Sequence, residues 1–350
     1  MSAHTVCAHP AAQRPQPPEP SASRVPASIV KEIKTGYFRK ALGSLEPAIA
    51  AHGDNADYQY RYSQALLGAG KNHQALRAIK KAISEAPRKA VYYRLMGQVY
   101  GALAQKANIF HAMGLAKDVL SSFRTAVKLA PENPKSLVDL AFYYIDAPGI
   151  VGGSLSKAKK IQHTLEKFDP LAALKVRAHE AVESHHYDRA MMLLRHAARL
   201  DKTPQSAQTL AFLYIHRRRY GKGLGAFLSI TQQSPEDARA WYWVGRASIL
   251  SHSLYSEGIQ ALKHYVATPE RPDTAPSLAF AHLRLGDLYL LTGKSHLACL
   301  EYAKAKTSAG ARNRRFDLDL GKSLRKLRDS NANDIGAITS RAAFSKKDCH

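Results

Sequence analysis

Residues 284–310 read RLGDLYLLTGKSHLACLEYAKAKTSAG. Gly286 is followed by Tyr289, Gly293, Ala298, Tyr302, Ala305 and Gly310. The same order recurs, at the same spacing, as Ser63, Leu66, Gly70, Ala75, Ile79, Ala82 and Pro87. It recurs again as Ala211, Tyr214, Gly223, Phe227, Ile230 and Pro235. A fixed period of this kind, read before any element is named, points to a repeat architecture. Small residues in both halves let two helices approach closely, and large apolar residues fill the gap between them. A Pro or Gly then ends the second helix. One such pair cannot bury its own apolar stripe, so pairs must stack into a solenoid.

Working outward, Trp241, Val244 and Gly245 open another copy, as do Tyr93, Met96 and Gly97. Ala178, Ala190, Leu194 and Ala197 mark a weaker one, with Lys202 where the closing proline would stand. Gly36, Ala41, Leu45, Ala48 and Gly53 form a truncated first copy opened by Pro26. Together these residues resemble the tetratricopeptide repeat family over nearly all of 26–327. The resemblance implies an all-α, right-handed superhelical solenoid of antiparallel helix pairs, with about eight hairpins over 26–310. A capping helix is expected over 311–329, where Phe316, Leu320, Leu324 and Leu327 share one face. Residues 1–25, rich in proline, and 330–350, without periodicity, read as a disordered leader and tail.

Two copies depart from the period. After Tyr100, the second-helix signature Val119, Phe123, Ala126, Pro131 comes late, behind ALAQKANIFHAMGLAKDVL (102–120). With Gly114 its one breaker, that segment predicts a hairpin whose two helices each gain about a turn and a half. The next copy carries APGIVGG (147–153) between Tyr144 and Ala158. Pro148, Gly149, Gly152 and Gly153 there predict a stiff, enlarged turn, with Ser154 or Ser156 capping the following helix. The long hairpin with this loop resembles a bacterial subgroup of the same family, whose members are often exported and mostly lack an assigned activity. The pair also marks where a second binding surface would lie.

The charge balance is unusual: 51 basic against 28 acidic residues leave a net charge of +23 in 350 residues. That charge favours attraction to acidic partners and says nothing of fold. No apolar run approaches the roughly 20 residues that span a bilayer. The N-terminus lacks the apolar core of a secretory signal, so the expectation is a cytoplasmic protein, with the subgroup's export as the alternative.

The sequence holds no GxGxxG, P-loop, GxSxG or CxxC. Cys7, Cys299 and Cys349 suggest no disulfide framework, and Cys299 reads as a small apolar side chain. His179, Glu183, His185 and His186 are the densest potential metal ligands, and His179 and Glu183 share a helical face. Without HExxH spacing they read as solvated turn residues, so neither metal nor cofactor is expected. The glycines of 149–153 serve loop geometry rather than a phosphate.

Function is therefore expected from surface. The resemblance places ligands on the concave face, on Tyr60, Gln64, Arg94, Gln98, Asp139, Phe142, Gln208, Phe212, Tyr242, Arg246, Arg284 and Asp287. Arginines with aromatics suit a protein or extended peptide of acidic or mixed polarity, held by a non-enzymatic scaffold. Reversing Arg94, Arg246 and Arg284 to Glu is then expected to abolish binding without unfolding. Tyr60 with Gln64, and Arg94 with Gln98, do not reproduce the Lys and Asn of the family's clamp for chaperone carboxylates. Two alternatives stand. One is nucleic-acid binding along Arg217, Arg218, Arg219 and the lysines of 157–160; the other is an enzyme with a pocket under the long hairpin.

Overall fold

The structure, a computed structural model, describes residues 24–311 and 313–334. Apart from its last residues the leader lies outside them, as do Cys7, Cys349 and most of the tail. Among the described residues there are seventeen α-helices and no strand. They pair as α1 (Ala27–Thr35) with α2 (Phe38–Ala51), α3 (Ala56–Gly68) with α4 (Asn72–Glu85), and α5 (Ala90–Ala104) with α6 (Ile109–Leu129). Next come α7 (Pro134–Asp146) with α8 (Leu155–Glu166), α9 (Pro170–Glu183) with α10 (Tyr187–Leu200), and α11 (Gln205–His216) with α12 (Tyr220–Gln233). The last pairs are α13 (Ala238–Ser251) with α14 (Tyr255–Ala267) and α15 (Leu278–Leu291) with α16 (Ser295–Thr307), followed by α17 (Arg314–Asp334). No helix among the described residues is long and apolar enough to cross a membrane.

The period seen in sequence has a physical cause at each place. The small residue sits where the second helix presses closest: a Cβ on Gly286 would lie 2.5 Å from the Tyr302 ring, and one on Gly245 2.3 Å from Leu262. Seven residues later the chain turns through the left-handed region in five hairpins. Gly70 and Gly293 do so freely, whereas His185, Arg218 and His252 do so with a side chain, at φ of 60°, 56° and 51°. First helices begin on Asn55, Asn133, Asp169 and Asp237, whose side chains accept from backbone amides one turn in. The buried apolar residues form a succession of clusters bridging neighbouring hairpins, not one centre. At the C-terminal end Phe316, Leu320 and Leu327 of α17 are buried in the cluster that contains Tyr302 and Cys299.

The long hairpin departs from expectation. Its first helix, α5, has 15 residues and is of nearly ordinary length, and the extension falls on α6, with 21. The reason is Asn108, whose side chain accepts from the His111 amide at 3.0 Å and starts the second helix there. Gly114 lies inside α6. The overhanging first turn leaves Ile109 and Phe110 exposed.

The enlarged turn packs into the body. Gly149–Val151 makes a short 3-10 turn. Val151 is buried, and its carbonyl accepts from the Tyr143 hydroxyl at 2.7 Å. Gly152 is left-handed at φ 99°, and a Cβ on Gly153 would lie 1.7 Å from the Ala147 carbonyl oxygen. Gly149 has open space around it, so the tight fit belongs to the later pair alone. Ser154 caps α8 by accepting from the Lys157 amide.

A second irregularity went unmarked in the sequence. Connections between hairpins take three or four residues, except that between α14 and α15, which takes ten (268–277). This long connection reaches back to the first hairpin. The Asp273 amide donates to the Gly36 carbonyl at 2.8 Å, and Arg39 and Lys40 pair with Asp273 and Glu270 at 2.8 and 2.9 Å. Turns within hairpins line one rim of a solenoid and connections between hairpins the other. Their meeting here means the chain has completed one superhelical turn.

Candidate functional site

The first helices of four successive hairpins, α5, α7, α9 and α11, line a groove of about 880 Å³. A simple register rule supplies three of its lining residues, Phe142, His179 and Phe212. The residue directly after the small position points about 100° round the helix from the pair interface. In order these residues are Gln64, Gln98, Phe142, His179, Phe212, Arg246 and Asp287. Of the residues expected to bind, Arg94, Asp139, Phe142 and Phe212 line the groove. His179 was missed because its copy is the weakest, although Ala178 before it gives the register. Lys175, Glu183, Lys135, Thr209 and His216 also line the groove.

The arginines expected to grip a ligand are mostly engaged within the chain. Arg94 pairs with Asp139 of the next first helix at 2.7 Å, and Gln98 donates to the same carboxylate at 2.9 Å. Burial holds Asp139 above the ordinary carboxylate pKa, against the opposing pull of Arg94. Arg284 bonds Asp287 at 3.0 Å and also Asp319 of α17. Asp287 accepts in addition from Tyr302 and Ser323. Burial acts to lower the Arg284 pKa, but these carboxylates raise it instead, so the group stays a cation. A Glu at position 94 or 284 would face partly buried carboxylates. The expectation that a triple reversal leaves folding intact is therefore corrected for these two positions.

Arg246 differs. Its guanidinium lies over the Trp243 ring at 5.2 Å, and among the described residues it has no ion-pair partner. Phe212 packs edge-on to Trp243 and Phe227, with Arg239 over its ring. Gln208 donates to Asp237, the cap of α13. Tyr60 and Tyr242 are buried and build the wall from within: Tyr60 packs on Tyr92 and accepts from Gln64, and Tyr242 packs edge-on to Tyr265.

Along α9, Lys175 pairs with Asp201 at 3.0 Å. His179 stacks on Phe142 with ring centroids 4.1 Å apart, and its Nε2 lies 2.5 Å from Asp146. Asp146, His179 and Glu183 bring ligand atoms within 4.8 Å of one another, a set chemically able to hold a divalent cation at the groove's rim. His185 is apart from them, bonded to Tyr187 in the turn. Lys135, Glu183 and His216 have no ion-pair partner among the described residues.

Two rings beside the basic runs are already covered by cations. Arg217 covers Tyr187 at 4.0 Å and Lys157 lies over Tyr144 at 5.7 Å, while Arg219 and Lys159 pair with Asp188 and Glu180.

No protein-family model and no curated protein matches the chain. Solved structures do. Yeast Tom70 aligns with 89% of this chain and 62% of its own at 15% identity, with a TM-score of 0.56. Human IFIT1, solved as a dimer with PPP-AAAA, aligns with 84% of this chain and 71% of its own at 16% identity, with a TM-score of 0.50. TTC0263, a thermophilic TPR protein of Thermus thermophilus, aligns with 63% of this chain and 95% of its own at 20% identity, with a TM-score of 0.40. At these identities the likeness is one of fold.

Proposed function

From the premise that the chain has the tetratricopeptide-repeat fold, we propose that it is a non-catalytic interaction scaffold whose central groove holds an extended peptide of mixed polarity. The observation that carries this reading is the groove's lining. Phe142 and Phe212 stand on two first helices with Leu171 and Val182 between them, ringed by Lys135, Glu183 and His216. Apolar anchors surrounded by unpaired charges suit one seated apolar side chain with charged neighbours on either side. Arg94 and Asp139 satisfy each other, so they shape the wall more than they select for charge.

Peptides selected from a displayed library against the whole chain test the reading. Phe142→Ala and Phe212→Ala should each weaken the selected peptides about tenfold or more, the loss expected of a central anchor. Undiminished binding by both variants would place the site elsewhere. Nucleic acid is the second reading, supported by the +23 charge and by the fold likeness to IFIT1, which was solved with PPP-AAAA. A triphosphorylated oligonucleotide that binds at low salt, and competes with the selected peptides, would favour it.

A further inference from the structure

The connection 268–277, TPERPDTAPS, is polar and carries Pro269, Pro272 and Pro276, so it neither continues a helix nor builds a core of its own. It builds a specific contact with a hairpin more than 230 residues earlier. Tyr37 at the start of α2 makes no side-chain cap. Asp273 supplies one from outside: its carboxylate accepts from the Arg39 amide at 2.7 Å and meets the Arg39 guanidinium at 2.8 Å. Lys40 meets Glu270 at 2.9 Å, and Pro272 lies against Gly36.

We propose that this contact is a salt-sensitive clasp that holds the solenoid as one closed turn, and that its release opens the groove sideways. Neighbouring hairpins are joined by buried apolar clusters, whereas the clasp is joined mainly by polar groups. Arg39, Lys40 and Glu270 are 79%, 53% and 65% exposed, so dissolved salt screens them, and Asp273, at 18%, less so. Opening needs no core to break, because a small rotation at each hairpin interface adds up along the chain to separate the two rims. The consequence for loading rests on the groove reading above. With the clasp open, the wider spacing of the two rims gives a loop of a folded protein more room to enter from the side.

Small-angle scattering of the whole chain without ligand, from about 0.05 to 1 M NaCl, tests the clasp. The maximum dimension of the wild type should rise as the Debye length falls below about 8 Å. The sign is diagnostic, because screening a net charge of +23 would by itself compact the chain. Asp273→Ala should be extended at every salt concentration. Lys40→Glu should shift the rise to lower salt, and Lys40→Glu combined with Glu270→Lys should restore the wild-type curve. Helical circular dichroism confirms that each variant is folded. A maximum dimension of the wild type that is independent of salt, or one that Asp273→Ala does not increase at low salt, overturns the clasp, whatever the peptides do. Loss of peptide binding in Phe142→Ala bears on the groove alone.

Discussion

The chain leaves its repeat at two sites where residues are added between helices, 147–153 and 268–277, and the outcomes are opposite. The first is apolar and glycine-paired. It folds into its own hairpin, burying Val151 under the Tyr143 hydroxyl, with Gly152 against Leu120 of α6. The second is charged and proline-rich; Tyr265 donates to its Pro276 carbonyl and Ala275 packs locally, but its acidic residues reach back to the first hairpin. In the first, Val151 thus joins the core while Ile150 stays in solvent. The second is left to bind whatever polar surface the superhelix brings near, and this difference decides how firmly each is held.

The sharpest way to break the comparison is Gly153→Ala. The new methyl would meet the Ala147 carbonyl, and backbone cannot yield cheaply, so a loss of about 3 kcal/mol or more in denaturant unfolding is expected. A loss under about 1.5 kcal/mol would show that the first insertion is as loosely held as the second.

An ordinary connection gives the baseline. In 201–204, Asp201 accepts from Ser206, Lys175 and Thr203; burial alone would raise its pKa, but these bonds hold it below the carboxylate range. Its contribution is therefore present above the usual carboxylate pKa and is lost as pH falls through the depressed folded value. Asp201→Asn should cost on the order of 2 kcal/mol at pH 7, for bonds to a charged group. The gap from wild type should close on acidification, and a gap constant with pH would argue against the charge.

Asp273→Ala should cost about 1 to 1.5 kcal/mol, the summed scale of a cap and a partly exposed pair, in the same unfolding measurement. A loss matching that of Gly153→Ala would erase the distinction between the two insertions. The smallest effect lies in the turns. Arg218 occupies the left-handed place that Gly70 and Gly293 hold elsewhere, so Arg218→Gly should stabilise by about 0.5 kcal/mol. Destabilisation instead would mean that the arginine makes contacts outweighing its backbone strain.

Much of this was legible in the residues. Gly286, Ala298 and Tyr302 gave the helix pairs, because close packing demands small residues opposite large ones at fixed spacing. Phe142 and Phe212 were legible as groove residues through the family resemblance, once the register of the copies was known. The extension of α6 rather than α5 was not, because it depends on Asn108 acting as a cap, a choice made by local hydrogen bonding. Nor was the engagement of Arg94 and Arg284, since a charged side chain facing a groove looks the same in sequence whether or not the next helix offers a carboxylate.

By itself, then, the sequence determined the repeat, its all-helical class and the place of the first insertion. Each of those rests on contacts within one hairpin or between neighbours, whose spacing is written along the chain. Only the tertiary structure decided that Asp273 caps α2, that the arginines are mostly spent on neighbouring acids, and that the solenoid closes after one turn. Those depend on the sum of small rotations between hairpins, a quantity no single stretch of residues encodes.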